Sequence, residues 1–163
     1  MNLQEQISRI QSMMGVINDD NINPYIFDNP EFIDVLENTI TPSSFICSYV
    51  ASAIKMLVGD DIKIYGFSTM ENPDAKYFVE ENGEDSDEGH HFAVMNGRYI
   101  IDPWVYENFN RSVFDLKDKK DKEIISYLYG DKNKWTDITK GVEGFEFLFP
   151  KTYKNLKDYY SSL

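Results

Sequence analysis

The chain has 163 residues, 42% of them hydrophobic and 15% aromatic, enough for one globular domain, residues 1–163, with a sizeable core. Its 28 Asp and Glu against 16 Lys and Arg give a formal charge of −12. That field repels phosphate backbones and argues against nucleic acid; it favours basic peptides, amines or other cationic partners, and it is equally an ordinary route to solubility. A single cysteine rules out an internal disulfide framework, no apolar run approaches the ~20 residues of a membrane span, and the polar opening MNLQEQISRI does not read as a secretory signal, so a cytoplasmic protein without membrane contact is expected.

In chain order, Asn2 and Glu5 form a capping box for a first helix reaching about Met14, with Leu3, Ile7, Ile10 and Met14 as its apolar stripe. Residues 1–17 read either as a docking helix for a protein partner or as a helix packed on its own domain. The Met-Met-Gly end of this segment resembles short leaders of large tailed-phage proteins. The Asp/Asn-rich stretch Asn18 to Asn23 is a linker, and Asn29-Pro30-Glu31 starts a short helix through Leu36, with proline at its first position. The next helix, residues 41–59, carries Ile46, Val50, Ala53, Ile54, Leu57 and Val58 at helical spacing, entered by Pro42 and two serines and ended by Gly59. Cys47 lies near its start, where the helix dipole lowers a thiol pKa. The plain alternative is a buried cysteine acting as a small hydrophobe.

A strand from Ile62 to Phe67, a turn at Asn72-Pro73-Asp74 and a strand from Ala75 to Val79 are expected next. Residues 80–89 form a carboxylate-rich loop. Such a run stays extended and wet, or serves as an acidic lid that selects cationic substrates; its spacing does not follow a calcium-binding loop.

Residues 89–104, GHHFAVMNGRYIIDPW, read as a hairpin around an Asn96-Gly97 two-residue turn. That register pairs Met95 with Arg98 and sets His91 directly opposite Asp102, close enough for the carboxylate to orient the imidazole. His90 then faces the other side of the sheet, and a one-residue slip would reverse the two histidines. Adjacent histidines pointing to opposite faces make a poor zinc site with Cys47, so neither metal nor cofactor is expected. Farther on, residues 118–129 read as a helix ended by Gly130, residues 145–149 as a strand and residues 152–160 as a closing helix. Trp104, Tyr106 and Trp135 are candidates to line a substrate groove, or are core and its rim.

Cys47-Ser48-Tyr49-Val50-Ala51 through Gly59, the strand after it, His91-Phe92-Ala93-Val94 and Tyr99-Ile100-Ile101-Asp102-Pro103 together resemble the nucleophile helix, His strand and Asp-Pro strand of transglutaminase-like, papain-related cysteine enzymes. The resemblance covers about residues 41 to 104. It implies an α+β fold with the nucleophile helix packed on an antiparallel sheet and extra terminal helices. It also implies Cys47 as nucleophile, His91 as general base and acid, and Asp102 as orienting group. Phe45 and Ser48 stand where many members carry glycine before the cysteine and an aromatic or basic residue after it. For the oxyanion side-chain donor the nearest candidates are Asn38, Thr41, Ser43 and Ser44.

These features predict a cysteine-dependent enzyme that forms a thioester on Cys47 and passes the acyl group of an amide or peptide to water or an amine. The competing expectation is a non-catalytic interaction protein on a papain-like fold, binding a cationic partner through its acidic surface. A Cys47 sulfur more than ~5 Å from His91, with no motion to close the gap, would favour the binder.

Overall fold

The computed structural model describes residues 23–39 and 47–142. The first helix, Thr41, Ser43, Ser44, the side chain of Asn38, the strand at 145–149 and the helix at 152–160 lie outside the described residues. Within them the chain is a mixed helix and antiparallel-sheet (α+β) structure.

After a 3₁₀ turn, Pro24–Asp28, come α1 (Pro30–Thr39), α2 (Cys47–Val58), β1 (Ile62–Ser68) and α3 (Lys76–Asn82). Then follow β2 (Gly89–Met95), β3 (Tyr99–Ile101), the short α4 (Tyr106–Phe109), β4 (Val113–Asp115), α5 (Lys122–Tyr129) and β5 (Thr136–Asp137). The sheet runs β4-β3-β2-β1-β5, and every neighbouring pair is antiparallel.

Side-chain alternation along the strands gives the sheet two apolar faces. On one face α1 and α2 press Leu36, Val50 and Ile54 against Ile64, Ala93 and Ile101. Ala93 has no bulk beyond its Cβ, which lets α2 approach β2 closely. On the other face α3 and α5 cover Phe67, Phe92, Val94 and Ile100 with Phe78, Leu128 and Tyr129. Each buried side chain of this size contributes about 1.5–3 kcal/mol, so the sheet is held from both sides. Gly59, at φ +93°, ends α2 by donating its N–H to the Lys55 carbonyl at 2.7 Å.

Three expectations change. The strand expected over Ala75 to Val79 is the start of α3. Ala75, Phe78 and Val79 are buried at helical spacing, and a five-residue apolar run satisfies either period. Glu80, Glu81 and Asn82 belong to this helix, so only residues 83–88 are loop. That loop is solvent-exposed at Gly83, Glu84, Asp85, Asp87 and Glu88, and it is tied to the end of β1. The Thr69 hydroxyl donates to the Gly83 carbonyl at 2.7 Å, and the N–H groups of Thr69 and Met70 donate to Glu88 and Ser86.

The third change is register. Asn96 and Gly97 do adopt positive φ, 52° and 65°, and the Arg98 N–H closes on the Met95 carbonyl at 3.0 Å. The ladder, however, pairs Met95 with Tyr99, so the loop holds three residues, 96–98. Asn96 donates its N–H to Asp61, the Arg98 carbonyl receives the Leu116 N–H, and the Arg98 guanidinium grips Asp115 at 2.7 Å. These ties assign Arg98 to the turn and slide β3 by one position. A one-residue slip exchanges the faces of a strand, and this one moves Asp102 to the face of Phe92 and His90.

Candidate active site

Cys47 is the first residue of α2, where the backbone N–H groups have no partner within the helix and the dipole favours an anion. The side chain borders a cleft of about 800 Å³ that opens where β1 ends and β2 begins, lined among others by Gly66, Ser68, Gly89, His90, His91 and Trp104.

The Cys47 sulfur lies 3.8 Å from Nδ1 of His91, within hydrogen-bond reach of a sulfur atom, so the long separation that would have favoured the binder is not found. His91 is partly exposed beside Gly66, its partner across the β1–β2 ladder. A Cβ on Gly66 would stand 2.4 Å from Cδ2 of the His91 ring. The glycine therefore makes the space that the imidazole occupies.

His91 does not meet Asp102, contrary to the expected register. The shifted hairpin gives the carboxylate to His90 instead: Nε2 of His90 and Oδ2 of Asp102 are 2.6 Å apart, and both side chains are buried, at 1% and 2% exposure. The His90 ring stacks on Phe78 with centroids 4.1 Å apart and packs against Trp104. Tyr129 donates its hydroxyl to the same Asp102 oxygen at 2.8 Å. Burial, then the Asp102 charge, holds the Tyr129 hydroxyl well above the ordinary tyrosine range, so it remains a donor.

Electrostatics follow from these contacts. Burial pushes the Cys47 thiol up, but hydrogen bonds from His90 and His91 and the positive charge of His90 more than offset it and leave the thiol at about 6. Burial works against a charged His90, yet the Asp102 carboxylate outweighs it and raises the imidazole to about 9. Between those values the thiol is ionised and His90 protonated, an ion pair whose two titrations belong to it jointly.

The groove candidates separate. Trp104 lines the Cys47 cleft. Tyr106 does not; it borders a neighbouring cleft with Asp34, Glu37 and Glu107, which Trp104 also walls. Trp135 is not in the lining of the Cys47 cleft; its indole N–H donates to the Tyr129 carbonyl at 2.7 Å and its ring meets Phe92 edge-on at 4.9 Å. Among the described residues no group of three His, Cys, Asp or Glu side chains is arranged to hold a metal ion, and no helix is long and apolar enough to cross a membrane.

Sequence reasoning assigned no site role to His90, Tyr129 or Gly66. Gly66 carried a readable signal, because glycine inside a strand marks a close approach by another group. Compared with protein families, curated proteins and solved structures, the chain matches none.

Proposed function

We propose that this protein is a cysteine-dependent acyl-transfer enzyme that attacks an amide or peptide carbonyl through a thioester on Cys47. The observation that carries the reading is the ordered series Cys47, His90, Asp102, with the nucleophile at a helix start, facing an open cleft, and the imidazole locked by a buried carboxylate. The order of parts also supports a papain-like or transglutaminase-like arrangement: nucleophile helix, strand, His strand, Asp after the next strand. Asp102 serves His90 in this arrangement, and the orienting role first given to the His91–Asp102 pair passes to His90–Asp102.

The chemistry needs no activation step for the thiol. At neutral pH the thiolate adds to the acyl carbon, the leaving amine takes a proton from an imidazole, and water or a second amine then releases the acyl group. The backbone N–H of Cys47, at the start of α2, is the candidate donor to the oxyanion. Hydrolysis requires only water, whereas transamidation requires a second binding site, so hydrolysis is the simpler outcome.

The substrate we propose is a basic peptide or amine-bearing chain. Glu71, Glu81, Asp87 and Glu88 line the Cys47 cleft, and its described lining contains no Lys or Arg. Such a cleft concentrates cations and repels anions.

The test is the pH dependence of iodoacetamide labelling at Cys47, read by intact mass. An enzyme of this kind labels with a half-point near 6, and His90→Gln moves the half-point up towards the ~8.5 of free cysteine. Labelling that waits for unfolding, or that titrates as free cysteine in both proteins, would discard the enzyme in favour of an interaction protein.

A further inference from the structure

One thiol here is served by two imidazoles, although a single histidine suffices to pair with a thiolate. The two differ in every respect that governs proton transfer. His90 is 1% exposed, stacked on Phe78, and has Nε2 committed to Asp102. Its ring has no freedom to turn. His91 borders the open cleft with Nδ1 3.8 Å from the sulfur, and its ring lies over Gly66, which has no side chain, with Ile138 beside it. A group that exchanges protons with substrate and water must reach both, and His91 is placed for that.

We propose that His91 is a second catalytic imidazole that carries protons between substrate, water and solvent in the cleft, while His90 and Asp102 form the fixed counter-ion of the Cys47 thiolate. This rests on the acyl-transfer reading above and divides between two residues the work usually given to one. In the first half-reaction the sulfur electron pair forms the C–S bond, the C–N bond breaks, and the departing nitrogen takes the proton carried by His91. In the second, a water oxygen adds to the acyl carbon and its proton passes to His91. The C–S bond then breaks with its electron pair on sulfur, so Cys47 leaves as thiolate beside the protonated His90. His91 regains the proton it gave, and the sum is amide plus water yielding acid plus amine.

An activated ester separates the two roles, because nitrophenolate leaves without needing a proton. With p-nitrophenyl acetate, acylation requires only the thiolate, whereas deacylation still requires a base for water. His90→Gln is expected to slow the acylation burst by roughly 30-fold at pH 7, the thiolate lost as the thiol returns from about 6 towards the ~8.5 of free cysteine. His91→Gln is expected to slow the burst by less than about tenfold but deacylation by roughly 100-fold, so the acetyl thioester accumulates on Cys47 and is seen by intact mass. Gly66→Ala is the second variant. It keeps His91 but places a Cβ against its ring, and it should reproduce the slow deacylation in a protein whose far-ultraviolet circular dichroism is unchanged.

Normal deacylation in His91→Gln would overturn the assignment, as would equal loss of the burst in both histidine variants. A wild-type protein that labels with a half-point near 6 but never carries an acetyl group would overturn the acyl-transfer reading and this inference together.

Discussion

The two sides of β2 differ in what they ask of a histidine. On the α3 and α5 side His90 sits among Phe78, Phe92, Trp104 and Tyr129, a dry environment in which a lone imidazolium would not survive. It is charged because Asp102, and after it Cys47, outweigh the cost of burial. On the α2 side His91 stands over a glycine at the margin of an open cleft, partly exposed to solvent. Neighbouring residues on one strand thus acquire opposite character: one a locked charge, the other a reachable ring. Residue type alone does not make a catalytic base; the face of the sheet does.

The strongest way to break this contrast is to remove the locked charge. With the thiol at about 6, roughly nine-tenths of it is ionised at pH 7; at the ~8.5 of free cysteine only about 3% is, so His90→Gln should slow labelling at pH 7 by roughly 30-fold. Asp102→Asn tests the other member. The carboxylate is what raises His90, while burial lowers it. Without it only Cys47 opposes burial, so His90 holds its proton less firmly and the thiolate's counter-ion weakens. Turnover of any amide substrate should be bell-shaped, rising through about 6 and falling through about 9. In Asp102→Asn the upper limb should move down and the plateau close. An unchanged upper limb would show that it belongs to another group.

How much of this was readable from residues alone varies by element. Cys47 at a helix start, the strand from Ile62 and the helix stops at Gly59 and Gly130 are local matters of period and punctuation, and they stand in the fold. The His–Asp pairing depended on whether Arg98 belongs to the strand or to the turn. That was decided by Asp61, Asp115 and Leu116, residues 17 or more positions from Arg98 or contributed by β1's entry, and no local pattern reports them. The sequence reading therefore paired Asp102 with His91, whereas the structure pairs it with the adjacent His90. The Ala75–Val79 run fell to a different ambiguity, since five residues are too few to separate period 2 from 3.6. Tyr129 is core, and its hydroxyl becomes relevant only once the shifted register delivers Asp102 to it.

A gentler probe sharpens the comparison from the solvent side. If the carboxylates of the Cys47 cleft act on approaching reagents, a cationic methanethiosulfonate should modify Cys47 roughly tenfold faster than an anionic one, each rate normalised to free cysteine. Glu71→Gln with Glu81→Gln should reduce that preference, and 1 M salt should largely erase it, since the Debye length falls to about 3 Å. Equal normalised rates for the two reagents would remove the case for a basic substrate and leave the His90–Asp102 pair untouched.

The smallest expected effect concerns Tyr129→Phe. Two donors share Oδ2 of Asp102, His90 at 2.6 Å and Tyr129 at 2.8 Å, and the tyrosine draws part of the carboxylate's charge away from the imidazole. Removing the hydroxyl leaves a buried acceptor one partner short, a cost of about 1–3 kcal/mol. For a chain of this length that lowers the melting temperature by roughly 2–4 °C per kcal/mol. The same loss leaves His90 as the remaining donor on that oxygen, so its hold on the proton strengthens and the upper limb of the pH profile should move up. A fall in melting temperature with no movement of that limb would make Tyr129 a packing residue. Movement downwards would mean that the hydroxyl holds Asp102 in place for His90, so that orientation outweighs the sharing of charge on the dry side of the sheet.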